Sequence, residues 1–231
     1  MRLLLASIAA ALFLSGCAAP VHKHEVAGLQ RSENIHFVDA RPKAESEQEL
    51  FSALITSDAY ATYRYSTSSL DPSAVRLFQH KVFEKFADSA KPVDVKVYHF
   101  VSYMNMQSAF RRSSIGAVFG VVGAVVAVST QKNDADFKVN MVDREQFDAI
   151  TAANEYTKSF FTEAENPNKA PVFVVYIDAD INGKRTFIRG LAPTTRKDGQ
   201  NPYLYVVENT ISAFLDNYQA EAGGSEKLAG Q

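Results

Sequence analysis

Tryptophan is missing from the chain, cysteine occurs once, and neither sign of charge is in surplus, with 24 Lys+Arg against 26 Asp+Glu over 231 residues. A single cysteine excludes an intramolecular disulfide and cannot by itself hold a structural zinc. The net charge of -2 gives no basic footprint for nucleic acid, so nucleic acid is not expected as a partner. No apolar run reaches the roughly 20 residues of a membrane-spanning helix, which excludes a polytopic membrane protein. With 46% of its residues hydrophobic and 22% charged, the composition is that of a globular domain, not of a disordered chain.

The first residues carry a targeting pattern. Met1 and Arg2 are followed over positions 3–14 by small or apolar residues, Ser7 excepted, and then by Ser15 and Gly16. A short positive n-region ahead of an apolar stretch of this length reads as a signal segment. Directly after it, Leu14-Ser15-Gly16-Cys17 resembles the lipobox of bacterial lipoproteins, and the only cysteine of the chain stands at its critical position. The competing reading is an ordinary secretory signal that contains a cysteine. The resemblance implies cleavage before Cys17, a thioether link from its thiol to diacylglycerol, and acylation (palmitate or a similar chain) of the new amino group. Loss of residues 1–16 removes only Arg2, leaving 23 basic and 26 acidic residues. By the same resemblance, Ala18 and Ala19 lack the aspartate of inner-membrane retention, which implies an outer-membrane anchor on the periplasmic face.

Residues 17–34 are polar and without sustained periodicity, as in a tether, and His22 and His24 within them read as solvated rather than metal-binding. A single α/β (α+β) domain is expected over 35–222. Ile35, Phe37 and Val38 suggest a strand ended by Pro42; Leu50, Phe51, Leu54 and Ile55 suggest a turn or two of apolar helix; 59–70 suits a loop or edge strand. Asp71 with Pro72 predicts a capped helix running to Ala87. Strict alternation from Val93 to Tyr103 predicts a strand whose apolar face carries Val93, Val95, Val97, His99, Val101 and Tyr103. Further strands are predicted around Phe137 to Met141, over 172–178 and over 186–191, the last two joined at Asn182-Gly183 by a type I′ turn. Helices are predicted over 147–160 and after Asn201-Pro202, the latter with Leu204, Val207, Ile211, Phe214, Leu215 and Tyr218 on one stripe. Residues 223–231 read as a disordered tail. Together these make one two-layer domain with a mixed or mostly antiparallel sheet packed by helices.

One segment stands apart. Residues 115–128, IGAVFGVVGAVVAV, carry no charge and sit in a stretch, 111–130, that opens on Arg111 and Arg112. As a helix the run would extend about 21 Å, short of a bilayer's hydrocarbon core. Gly116, Gly120 and Gly123 or Ala124 fall at three- and four-residue intervals beside Phe119, the spacing that lets helix backbones approach closely. Three readings stay open: a buried hairpin or Gly-containing loop, a self-associating helical hook, and a shallow leaflet insertion with the arginines at headgroup level.

No nucleophile elbow, Walker loop, His-Glu-x-x-His or clustered Cys/His motif occurs, so no enzyme, metal or cofactor is expected. Asp178 and Asp180 flank the hairpin turn and read as turn chemistry. Asp39 and Arg41 read as a local ion pair, and His80 and His99 as structural. The Asp39-Ala40-Arg41-Pro42 turn, ahead of an α/β domain, is similar to the opening of YajG-like small envelope lipoproteins, which implies a non-enzymatic periplasmic-facing role. The expected function is therefore a lipid-anchored binding or assembly module of the bacterial envelope, acting through an envelope protein partner or self-association. The alternative is a carrier or sensor of a small hydrophobic ligand.

Overall fold

The computed structural model describes residues 21–46, 52–54, 62–87, 92–106, 138–140 and 171–228. Over these it is a single α+β domain with one mixed sheet and a small two-stranded ribbon. The sheet strands are β2 (His36–Asp39), β3 (Ser52–Leu54), β4 (Thr62–Tyr65), β6 (Asp94–Asn105), β7 (Lys138–Asn140), β8 (Val172–Ile181) and β9 (Lys184–Pro193). Their order is β3-β4-β6-β8-β9-β7, with β2 pairing to β6 as well. The ribbon pairs β1 (His22–Lys23) with β5 (Leu70–Asp71) in parallel. Among the described residues three α-helices pack with the sheet: α1 (Lys43–Ser46), α2 (Ala74–Phe86) and α3 (Pro202–Leu228).

The strongest local signal is the β8–β9 hairpin. Asn182 and Gly183 both have positive φ, 53° and 84°, as the two central residues of a type I′ turn require. Asp180 secures the turn by accepting the Gly183 N–H at 2.7 Å. From this tip the two strands stay in register from Ile181 opposite Lys184 to Val172 opposite Pro193.

β6 forms the spine of the sheet and departs from strict alternation. Val97 pairs with Ala179 and His99 with Asp178, so Tyr98 is an extra residue, a β-bulge. Its effect is to flip every later side chain. Val95 and Val97 lie in the main core, but beyond the bulge Phe100 and Met104 take over that face. Val101 and Tyr103 join Val172, Val174, Tyr176, Phe187 and Leu191 on the opposite face. The single apolar face expected from Val93 to Tyr103 is thus split between both sides of the sheet, because one inserted residue shifts a period of two by half a cycle.

On the main-core side, α2 and α3 bury Val75, Leu77, Phe78, Val82, Val206, Val207, Ile211, Phe214 and Leu215. Phe78 sits at the centre, edge-on to Phe214 at 5.3 Å and to Phe37 and Phe100 at 6.4 Å. The start of α3 follows its sequence signal: Asn201 Oδ1 accepts the N–H groups of Tyr203 and Leu204, with Pro202 at the first helical position.

Four expectations are corrected. The helical turn read at Leu50 to Ile55 is strand β3 over Ser52–Leu54, where pairing with Arg64, Tyr63 and Thr62 outweighs a short apolar pattern. The cap of α2 is Ser73, whose Oγ accepts the Arg76 N–H, while Asp71 belongs to β5. The tail read as disordered after Ala222 continues α3 to Leu228, since extending a helix already nucleated is far easier than starting one. Finally, the tether read over 17–34 is folded onto the domain from His22 onward: β1 pairs with β5, and a 3-10 turn at Leu29–Asn34 packs beside α2. Buried Ser32 holds that turn, bonded to Arg76 and His80. Strand β7 meets the expectation, pairing Lys138 with Leu191. The helix expected over 147–160 lies outside the described residues.

Candidate functional site

Among the described residues, three places carry more than core packing. The first is the domain's N-terminal end. His24 N–H donates to Asp71 O at 2.7 Å, and His24 Nε2 stands 3.4 Å from Glu208 Oε1 on α3. Arg76 reaches back from α2 to the Leu29 carbonyl and to Ser32 Oγ, and Gln79 Nε2 donates to Ser32 O at 3.0 Å. These bonds replace the freedom of a tether with a fixed path across the first turns of α2.

The second is a polar cluster around the β6 bulge. β2 pairs with β6 over residues 94–97 and β4 over residues 102–105, so two strands of opposite direction share one edge and leave a gap between them. Glu45, from α1, fills it. Its Oε1 accepts the buried Phe100 N–H at 2.7 Å, its Oε2 meets His99 Nδ1 at 2.9 Å, and its own carbonyl accepts from Arg64 at 3.2 Å. The carboxylate does what a neighbouring strand would otherwise do. Across the bulge, buried Asp178 takes both its oxygens to Arg185, whose guanidinium lies 3.9 Å from the Tyr98 ring centroid. Every carboxylate oxygen of this cluster has a named partner, and each bond ties one element to another.

A shallow groove is the third. Ile35, Phe83, Phe86, Ala87, Pro92 and Val93 line about 270 Å³, with His36 at the rim bonded to Asp94 at 2.7 Å.

Of the residues singled out in the sequence, Cys17, Arg111, Arg112, Gly116, Phe119, Gly120 and Gly123 lie outside the described residues. Asp39 and Arg41 form the local pair, bidentate at 2.8 and 2.7 Å. Burial of Asp39 favours its neutral form, but the Arg41 hydrogen bonds and charge outweigh this and hold its pKa below the ordinary aspartate value. Asp180 serves the turn as expected, whereas Asp178 is a buried partner of Arg185. His80 is buried against Ser32, and His99, half-buried, bonds to Glu45. Glu45 carried no signal in the sequence: it stands in a polar acidic stretch, and its importance comes from a gap that only strand pairing creates. No protein-family model matches the chain, and no curated protein or solved structure matches it either.

Proposed function

We propose that this protein is a lipid-anchored, non-enzymatic envelope lipoprotein whose α+β domain acts as a binding or assembly module through protein contacts, held at the periplasmic face of the outer membrane by Cys17. The observation that carries the reading is the Leu14-Ser15-Gly16-Cys17 run placed just ahead of a domain whose first strand begins at His22. Each acyl chain on Cys17 would contribute roughly 0.8 kcal/mol per buried methylene, so two or three chains hold a domain of this size without a spanning helix. Residues 111–130 are the proposed contact element.

Two measurements test this. Cells fed a clickable palmitate analogue should label the wild-type protein and not a Cys17→Ala variant; equal labelling of both would sink the anchor. Crosslinking in cells should capture an envelope protein or a second copy, and deleting 111–130 should abolish it. An unchanged crosslinking pattern would remove that segment from the proposal.

The groove beside Phe83 and Phe86 supports the second reading, a small hydrophobic ligand. It is smaller than a drug-sized pocket, and the inner phenylalanines Phe78, Phe100 and Phe214 are packed against one another instead of lining it. Native mass spectrometry of the purified protein tests it, with co-purified lipid as the supporting result.

A further inference from the structure

The folded path of the N-terminal segment bears on how the domain would sit on a membrane. Only residues 18–21 separate Cys17 from β1, and an extended chain covers at most about 3.6 Å per residue, so β1 begins within about 18 Å of the cysteine. From His22 onward there is no slack. His22 pairs with Leu70 and Lys23 with Asp71, the His24 N–H is held by Asp71 O, and Val26 packs on the core.

The ribbon marks one end of the described helical layer. β5 leads through Pro72 into the Ser73 cap of α2, so β1 and β5 stand at the N-terminal end of that helix. The opposite end is about 20 Å away along its 13 residues. There Phe86 meets Tyr218 at 5.7 Å, Lys85 pairs with Asp216 at 3.0 Å, and Lys184, beside the 182–183 tip, approaches the Tyr218 carbonyl and ring. The hairpin tip therefore belongs to the far end.

We infer that the end bearing β1 and β5 lies against the phospholipid headgroup layer, and that the 182–183 tip and the C-terminal end of α2 point away from it. The inference rests on the proposed lipid at Cys17. The chemistry of the near end suits a headgroup layer: Val21 is 54% exposed, a large aliphatic side chain turned to the outside, with exposed His22 and Lys23 beside it to meet phosphate groups. Glu25 and Asp71, also exposed there, limit the contact to a shallow one. A docked domain of this kind presents one constant surface to the periplasm, where a slack tether would present all of them.

The test uses full-length lipidated protein reconstituted into phosphatidylethanolamine/phosphatidylglycerol vesicles that carry a headgroup nitroxide. The chain has no cysteine besides Cys17, so Lys23→Cys and Ala87→Cys each provide one free thiol, near and far, for a fluorophore. The label at 23 is expected to be quenched several-fold more than the label at 87, and a Gly/Ser spacer inserted after residue 19 is expected to erase the difference while vesicle binding persists. Vesicle-bound protein with equal quenching at both sites, or stronger quenching at 87, overturns the orientation alone. Protein that carries no acyl chain and does not float with vesicles overturns the anchor and the orientation together.

Discussion

Glu45 offers the sharpest test of the fold, since one side chain bridges the gap between β2 and β4 along the β6 edge. Replacing it by alanine strips the buried Phe100 N–H of its acceptor at 2.7 Å and removes the Glu45 oxygen that lies 2.9 Å from His99 Nδ1. An unsatisfied buried donor costs about 1–3 kcal/mol, and the lost hydrogen bond between Glu45 and His99 adds about 1 kcal/mol. Against a total stability on the order of 5–15 kcal/mol, the Glu45→Ala variant should lose a large share of its stability, about 2–4 kcal/mol. In urea, with a slope of about 2–3 kcal/mol per M for a chain of this size, the midpoint should fall by roughly 1–2 M. Glu45→Gln keeps an oxygen for the Phe100 amide and should lose less than half as much. Circular dichroism melts in urea at neutral pH, for both variants and for His99→Ala alone and in combination, provide the measurement. A Glu45→Ala midpoint within about 0.3 M of wild type at unchanged slope would refute the role given to this carboxylate.

Other perturbations follow from single contacts. A methyl group on Gly190 would overlap Thr210 Oγ1 and lie 2.9 Å from Thr210 Cβ, so Gly190→Ala should cost about 1–3 kcal/mol in thermal melts, partly recovered by Thr210→Ala. Gly183 holds a φ of 84° with open space around it, so Gly183→Ala should cost about 1 kcal/mol through backbone strain alone. Burial pushes the Tyr203 hydroxyl well above the ordinary phenol range, against the opposing hydrogen bond to Ser102. A raised tyrosine contributes stability that is complete below a pH of about 10 and is lost as pH rises toward the raised value, so Tyr203→Phe should flatten the alkaline limb of stability against pH. Asp39 behaves in the opposite sense: its lowered value contributes above a pH of about 4 and is lost on acidification, and Asp39→Asn should weaken the acid limb by under about 1 kcal/mol because the pair is partly solvated.

Much of the fold can be read without coordinates, and the reasons are local. Asn182-Gly183 admits the positive φ of a type I′ turn, Asn201-Pro202 supplies a cap and a first helical residue, and the stripe from Leu204 to Leu215 has one face to bury. The Asp39–Arg41 pair is legible for the same reason, its members being two residues apart. What local pattern misread are the places where distant chain segments meet. Ser52–Leu54 is a strand because β4 offers it a partner, and His22 to Asn34 is ordered because Asp71, Arg76 and Gln79 bind it.

From the sequence alone came helices α2 and α3, strands β6 to β9, the hairpin and the N-terminal segment whose resemblance to a lipobox motivates the proposed anchor, since each depends on neighbouring residues and on a period of 2 or 3.6. Tertiary structure alone decided the two-faced burial of β6 and the place of Glu45. The alternation of that strand runs unbroken through Tyr98, and only pairing with β8 inserts the extra residue that turns Phe100 to the main core and Val101 to the buried cluster on the opposite face. The gap that Glu45 closes exists only because a parallel and an antiparallel strand meet on one edge, an arrangement no local spacing encodes.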